Sequence, residues 1–355
     1  MFLFILRHVP KPKHMPRTGL FHRHNSNVSA SRAHLFPSSN KTTGQHLQAF
    51  CNKHSLNLQT ETILPSSIFE PAKLHSLNIS HVPETGGALL YFHGGGYTYP
   101  AGPGHFKLSI RLARQLQCRQ LYILQYSLLP KAKYPTQLAQ AVESLRCLLN
   151  RFAPPQIAIG GDSAGGNMVL GLLAHLKSAH PDISPVEMIS PLASAICISP
   201  RCSNDITAQS FTDNAGKDVI DAAGLSAFVE KWQPVSDHVW AAANRGGKAF
   251  WAEEDSAKAE KMLIIAGEDE VYLDDIRAFA KLVSIEAPDD LDETADRQFL
   301  VAPKSVHVQA VIDHARGVED GFMTKALMNW AGKNQVEPAS NGGPADLLAV
   351  HRSNL

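Results

Sequence analysis

The stretch Ile157-Ala158-Ile159-Gly160-Gly161-Asp162-Ser163-Ala164-Gly165-Gly166 decides the reading of this 355-residue chain. A short β-branched run after Pro154-Pro155 leads into it. From Ser163 to His175 the residues are small and helix-compatible, so the serine falls on a strand-to-helix turn. Such an elbow strains the backbone at its apex. Gly161 and Gly165, two positions either side, leave room for the chain to pass closely where a larger side chain would collide. Ser163 is therefore the candidate nucleophile. The amide of Ala164, in the first turn of a helix, is expected to face developing negative charge on a substrate oxygen.

A second signal lies about seventy residues upstream. Ala88-Leu89-Leu90-Tyr91-Phe92 reads as an apolar strand that empties into His93-Gly94-Gly95-Gly96-Tyr97. Glycines after a strand allow successive backbone N–H groups to turn toward one point, and Gly94 and Gly95 are the expected donors. Asp162, beside the nucleophile, is expected to point away from it and to hold neighbouring loops. With Tyr97 and Trp232 it completes the set of candidate residues around a substrate pocket.

Further runs at Leu121–Tyr126, Ile157–Ile159, Ala195–Ile198 and Leu263–Ile265 alternate with helical patterns at Gln137–Leu149 and Asp275–Val283, and Phe322–Ala331 reads as a closing amphipathic helix. The alternation predicts an α/β fold, a doubly wound, mostly parallel sheet with helices on both faces. The His-Gly-Gly-Gly and Gly-Asp-Ser-Ala-Gly-Gly pair, with Gln125-Tyr126-Ser127-Leu128-Leu129-Pro130 and Tyr134-Pro135, resembles the hormone-sensitive-lipase-like branch of the α/β-hydrolases over roughly residues 60 to 330. The Gln-Tyr-Ser run and Pro100-Ala-Gly-Pro-Gly-His105 are similar to fungal esterases, including sterol-acetate deacetylases and hydrolases of secondary-metabolite clusters.

The resemblance implies a chain order of serine, acid, then histidine. His307 fits the base: Gln298–Ala302 reads as the last strand, and Pro303–His307 as the loop after it, where the family carries its histidine. His175 falls within the elbow helix, His180 and His238 in polar stretches, and His314 in the helix after the loop. The acid belongs among Glu268, Asp269, Glu270, Asp274 and Asp275, which follow the apolar run Lys261–Ala266. The family pattern places its catalytic aspartate at Glu270. Glutamate is chemically adequate there, and Asp269 is the alternative.

Residues 202–256 interrupt the strand–helix alternation and carry Phe228, Trp232, Phe250 and Trp251; the family has a helical cap there. A helix at Gln45–His54, the last part of a basic extension over 1–58, is expected to join it. The hydrolase domain then spans 59–335, with 336–355 a flexible tail. No acidic residue precedes Glu61, against eight Lys and Arg, a bias compatible with a mitochondrial leader. The terminal Ser353-Asn354-Leu355 loosely resembles a peroxisomal address.

Composition narrows the partners. Lys and Arg total 33, as do Asp and Glu, so no charge excess argues for nucleic acid. No segment is long and apolar enough for an integral membrane span. Five cysteines without paired spacing suggest reduced thiols and a cytoplasmic setting. No metal-ligand spacing and no phosphate-loop lysine occur, so neither metal nor cofactor is expected. The sequence sets no oligomeric state. Taken with the resemblance, these readings imply a serine esterase acting on a small-molecule ester. Alternatives on the same fold are a dehydratase or cyclase, an amide or formamide hydrolase, and a ligand-binding receptor; retention of Ser163 and His307 argues against the last.

Overall fold

The computed structural model describes residues 41–66, 68–235, 238–251, 258–285 and 296–338. Its strands are β1 (Leu58–Ile63), β2 (Ala72–Asn78), β3 (Gly87–Phe92), β4 (Cys118–Gln125), β5 (Ile157–Asp162), β6 (Leu192–Ile198), β7 (Ala259–Gly267) and β8 (Arg297–Ala302). They form one eight-stranded sheet in the order β1-β2-β4-β3-β5-β6-β7-β8. β1 and β2 join antiparallel, as do β2 and β4, and every later pairing is parallel.

Strands β3 and β5 are buried at every position, as expected where helices cover both faces of a parallel sheet. Alternate residues serve opposite faces. Leu90 and Phe92 of β3 join one apolar cluster, while Leu89 and Tyr91 join the other. The first cluster is roofed by α3 (Thr136–Leu149) and α4 (Ala164–Lys177), through Leu145 and Leu170, and by α8 (Leu273–Leu282), through Phe279. The second is covered by α1 (Thr43–His54) and α2 (Pro103–Gln115), with α9 (Gln309–Arg316) and α10 (Phe322–Lys333).

Helix α1 starts two residues before the expected Gln45 because Thr42 and Gln45 form a reciprocal capping box. Its apolar residues Leu47, Phe50 and Cys51 lie on the α2 face of the sheet, with the Phe50 and Phe106 rings 5.5 Å apart. It thus packs as a sheet-covering helix, whereas the cap's Phe211, Leu225 and Trp232 belong to the other cluster. The cap expected at 202–256 contains α5 (Ser210–Asp213), α6 (Ala222–Trp232), a 3₁₀ turn at Ala243–Gly246 and α7 (Gly247–Trp251). Residues 236–237 and 252–256 of that stretch lie outside the described residues, as do 1–40 of the basic extension and 339–355 of the tail. Val336 is packed, its amide bonded to the Leu116 carbonyl. The five cysteines are all unpaired.

Because β3, β5, β7 and β8 are parallel, the loops at their carboxyl ends open on one edge of the sheet. Those loops carry His93–Gly96, Ser163, Glu270 and His307, where open α/β sheets place their ligand crevices.

Candidate active site

Ser163 caps α4 with φ 53° and ψ −114°, a conformation that non-glycine residues rarely adopt. The strain is held by hydrogen bonds from its N–H to the Ile198 carbonyl at 2.9 Å and from Asn167 N–H to its own carbonyl at 2.9 Å. The glycines either side are sterically required. A Cβ on Gly165 would overlap the Phe92 carbonyl, and one on Gly161 would lie 2.5 Å from Gly165.

His307 Nε2 lies 2.8 Å from Ser163 Oγ. Its Nδ1 lies 3.7 Å from Glu270 Oε2, an ion-pair distance rather than a hydrogen bond. Neither His307 Nδ1 nor Glu270 Oε1 has a hydrogen-bond partner among the described residues. Glu270 is fully buried and its Oε2 accepts from Ser199 Oγ at 2.6 Å. Burial works against the imidazolium, but the Glu270 carboxylate outweighs it, assisted by Asp218 and Asp162, and the His307 pKa is raised above its ordinary 6.5.

Three of the four remaining candidate carboxylates turn elsewhere. Asp269 Oδ1 pairs with Lys217 Nζ at 3.8 Å, Glu268 Oε2 accepts from the Lys304 amide, and Asp274 Oδ2 from the Ser210 amide. Among the other histidines, His175 lies inside α4 and is pushed down to about 4, mainly by burial, while His314 Nδ1 donates to the Ala310 carbonyl.

The glycine loop after β3 is anchored by His93, whose Nδ1 donates to the Gly94 carbonyl at 2.7 Å while Nε2 accepts from Thr43 Oγ1 at 3.1 Å. Burial above all drives its pKa down to about 3, which keeps the ring neutral for this role. Gly95 and Gly96, at φ 113° and 59°, line a pocket with Ser163, Ala164 and His307. Gly94, expected as the partner of Gly95, does not line it; a Cβ there would run into Asp162 Oδ2. Gly96 takes the second lining position. Among the described residues, the amides of Gly95, Gly96 and Ala164 donate to no protein acceptor.

Asp162 lies behind the elbow, not on the pocket wall. It accepts from Tyr91 Oη at 2.8 Å and sits 3.5 Å from His105 Nε2. Burial pushes its pKa up, but the charge and hydrogen bonds of His105 and Tyr91 prevail and leave it lowered. Tyr97 and Trp232 likewise fall outside the lining: their rings stack at 4.7 Å, Tyr97 Oη donates to Asn167 Oδ1, and Trp232 Nε1 donates to Gln137 Oε1. The cap reaches the pocket instead through Ile220, Leu225 and Phe228. Trp251 packs against Phe279.

Two site residues had no counterpart in the sequence reading. Asp218, from the cap, is buried and accepts three backbone amides: Val219 and His307 at Oδ1 (2.7 and 2.9 Å), and Val271 at Oδ2 (2.8 Å). Burial foremost pushes its pKa up to about 7; His307 and the two more distant amides pull against that rise, and Glu270 adds to it. Arg201 lines the pocket beside Tyr272. Arg201 follows the apolar run Ala195–Ile198 by three residues, but nothing in that loop marks it as a pocket residue, and Asp218 stands in no strand–loop or periodic context. Among the described residues no group of three His, Cys, Asp or Glu is placed to hold a metal ion, and no helix is long and apolar enough to cross a membrane.

A doubly wound sheet with a serine elbow facing a histidine loop defines the α/β-hydrolase class, and a family model described as alpha/beta hydrolase fold matches residues 89–311. The chain belongs to that family, in its hormone-sensitive-lipase-like branch. It is similar to an acetyl-hydrolase of Streptomyces hygroscopicus, 29% identical over 197 residues, covering 55% of this chain and 61% of that protein. It is also similar to steryl acetyl hydrolase 1 of Saccharomyces cerevisiae, 30% identical over 119 residues, 32% of this chain and 28% of that one. The chain thus spans less than two thirds of these relatives. Among solved structures, a thermostable esterase from Pseudomonas putida aligns with a TM-score of 0.65 at 15% identity, over 92% of this chain and all (100%) of that one. Carboxyl esterase 2 of Tuber melanosporum aligns at 0.63 and 18% identity, over 80% and 89%. These likenesses show the shared fold.

Proposed function

We propose that the protein is a serine hydrolase that cleaves carboxylic esters through an acyl-enzyme. The observation that carries this reading is the 2.8 Å contact between His307 Nε2 and Ser163 Oγ, with the Glu270 carboxylate buried behind the imidazole. His307 takes the Ser163 proton as Oγ bonds to the ester carbonyl carbon, and the imidazolium is stabilised by Glu270. The developing oxyanion is held by the free amides of Gly95, Gly96 and Ala164, the last at the positive end of α4. The alcohol leaves with the proton from His307. Water, deprotonated by the same imidazole, then releases the acid and restores Ser163.

A small or medium acyl group fits a pocket bounded by the cap side chains Ile220, Leu225 and Phe228. The relatives named acetyl-hydrolase and steryl acetyl hydrolase support a short acyl group on a larger alcohol, sterol-like or drawn from secondary metabolism. The test is hydrolysis of nitrophenyl acetate, butyrate and octanoate by the wild type and Ser163→Ala, with a fluorophosphonate label on both. Turnover and labelling that vanish together in the variant are the expected result. A folded wild type giving neither signal would overturn it.

A further inference from the structure

The pocket holds a cation that the acyl-transfer steps above do not use. Arg201 follows β6 by three residues, is 5% exposed, and lines the pocket with Ser163 and His307. Nη2 donates to Asn167 Oδ1 at 3.0 Å, Nε has no acceptor, and Nη1 bonds to none of the described residues. No carboxylate of the described residues forms an ion pair with it. The groups whose charge would favour the guanidinium are Tyr97, Tyr272 and Cys202, and burial raises the pKa of all three, which keeps them neutral near pH 7. Burial also pulls the Arg201 pKa down, yet a guanidinium retains its proton in proteins.

The side chain is built into place. The guanidinium lies 4.4 Å from the Trp232 ring centroid and 5.7 Å from that of Tyr97. Asn167 accepts from both Tyr97 Oη and Arg201 Nη2, while its Nδ2 donates to the carbonyls of Arg201 and Ala241. Stacking favours the cation but supplies no acceptor for its free N–H groups. A buried charge without a counter-ion is costly, and a planar fork suits a carboxylate. The cap side chains Ile220, Leu225 and Phe228 are apolar, and Arg201 is the permanently charged group of a lining whose other polar side chains are Ser163, His307, Tyr99 and Tyr272.

We propose that the substrate is an anionic ester whose carboxylate docks on Arg201 while its ester carbonyl meets Ser163. This rests on the serine-hydrolase reading and specifies its substrate class. The carboxylate belongs either to the acyl part or to the alcohol part, and two substrate pairs separate these. On the acyl side, mono-4-nitrophenyl adipate is compared with its methyl-capped neutral counterpart. On the alcohol side, 4-acetoxybenzoate is compared with its methyl ester.

In one of the two pairs the wild type is expected to favour the anion by about tenfold or more in kcat/KM, with most of the gain in KM. Arg201→Met and Arg201→Lys are expected to collapse that ratio. Direct binding of monomethyl adipate and of dimethyl adipate to the Ser163→Ala protein gives a readout independent of turnover, and of the folding of the Arg201 variants. Tighter binding of the monoanion supports the proposal. Equal or weaker binding of the monoanion, together with a kcat/KM ratio near one in both pairs, overturns it even where neutral esters are hydrolysed. Anion binding without labelling or hydrolysis would sink the hydrolase reading and leave the Arg201 site standing.

Discussion

At the scale of single residues, the chemistry depends on how few groups reach Ser163. Ser163→Ala removes the Oγ that lies 2.8 Å from His307 Nε2, so turnover and fluorophosphonate labelling should fall to background while the circular dichroism spectrum stays that of the wild type. Glu270→Ala should cost about 10³- to 10⁴-fold in kcat, because the imidazole loses its orienting carboxylate. Asp269→Ala, which breaks only a partly exposed pair with Lys217, should leave kcat within a few-fold. The reverse ranking would move the acid to Asp269.

In the proposed mechanism His307 must be neutral to accept the Ser163 proton, so kcat/KM should decline as pH falls through its pKa. That pKa is raised, with Glu270 overcoming burial, so the acid limb of the profile should have its midpoint above 6.5, the ordinary value for histidine. A midpoint below it would show that burial prevails. That Ser163, His307 and Glu270 would meet was legible in the sequence because each follows a recognisable apolar strand. Gly96 was harder to read, since three successive glycines look alike in sequence and are told apart only by what each meets in the fold: Asp162 beside Gly94, the Tyr99 carbonyl beside Gly95 and the Phe228 ring beside Gly96. Tyr97 and Trp232 were placed at the pocket by their nearness to the glycine loop and their place in the cap, neither of which tells that the two rings stack on each other.

Between elements, the notable link is the one that Asp218 makes from the cap to the loops after β7 and β8. A single carboxylate receives the amides of Val271, next to Glu270, and of His307. Asp218→Asn keeps the shape but turns one acceptor into a donor facing an N–H group, and it removes a charge that helps to hold the imidazolium. Two effects are expected: a fall in kcat/KM of about tenfold or more through lost positioning, and a shift of the acid limb to lower pH as the His307 pKa drops. A rate loss with an unshifted profile would reduce Asp218 to a structural clip. Such a link is invisible in sequence, where the cap shows neither alternation nor a strand-then-loop pattern. The antiparallel strands β1 and β2 escaped notice too: β1 is Leu-Gln-Thr-Glu-Thr-Ile with one buried residue, an edge strand with little apolar signal. The parallel strands β4 to β7 were readable because both of their faces are covered, which demands continuous apolar runs.

At the scale of the whole molecule, the sheet is the frame on which all of this is fixed. Leu90 sits at its centre, wholly buried between β4 and β5. Leu90→Ala should lower the unfolding free energy by about 2–5 kcal/mol, with the urea m-value unchanged. A loss below about 1 kcal/mol would mean that the neighbouring side chains close the cavity. The parallel frame also has a bearing on how the protein comes to life. Ser163 and His307 are 144 positions apart, and the base stands on the loop after the last strand to join the sheet edge. On the proposed mechanism, a nascent chain halted before β8 would hold nucleophile, acid and glycine loop and still be inert. During synthesis or refolding, the first turnover therefore times the docking of β8, and the enzyme carries its own clock for the completion of its fold.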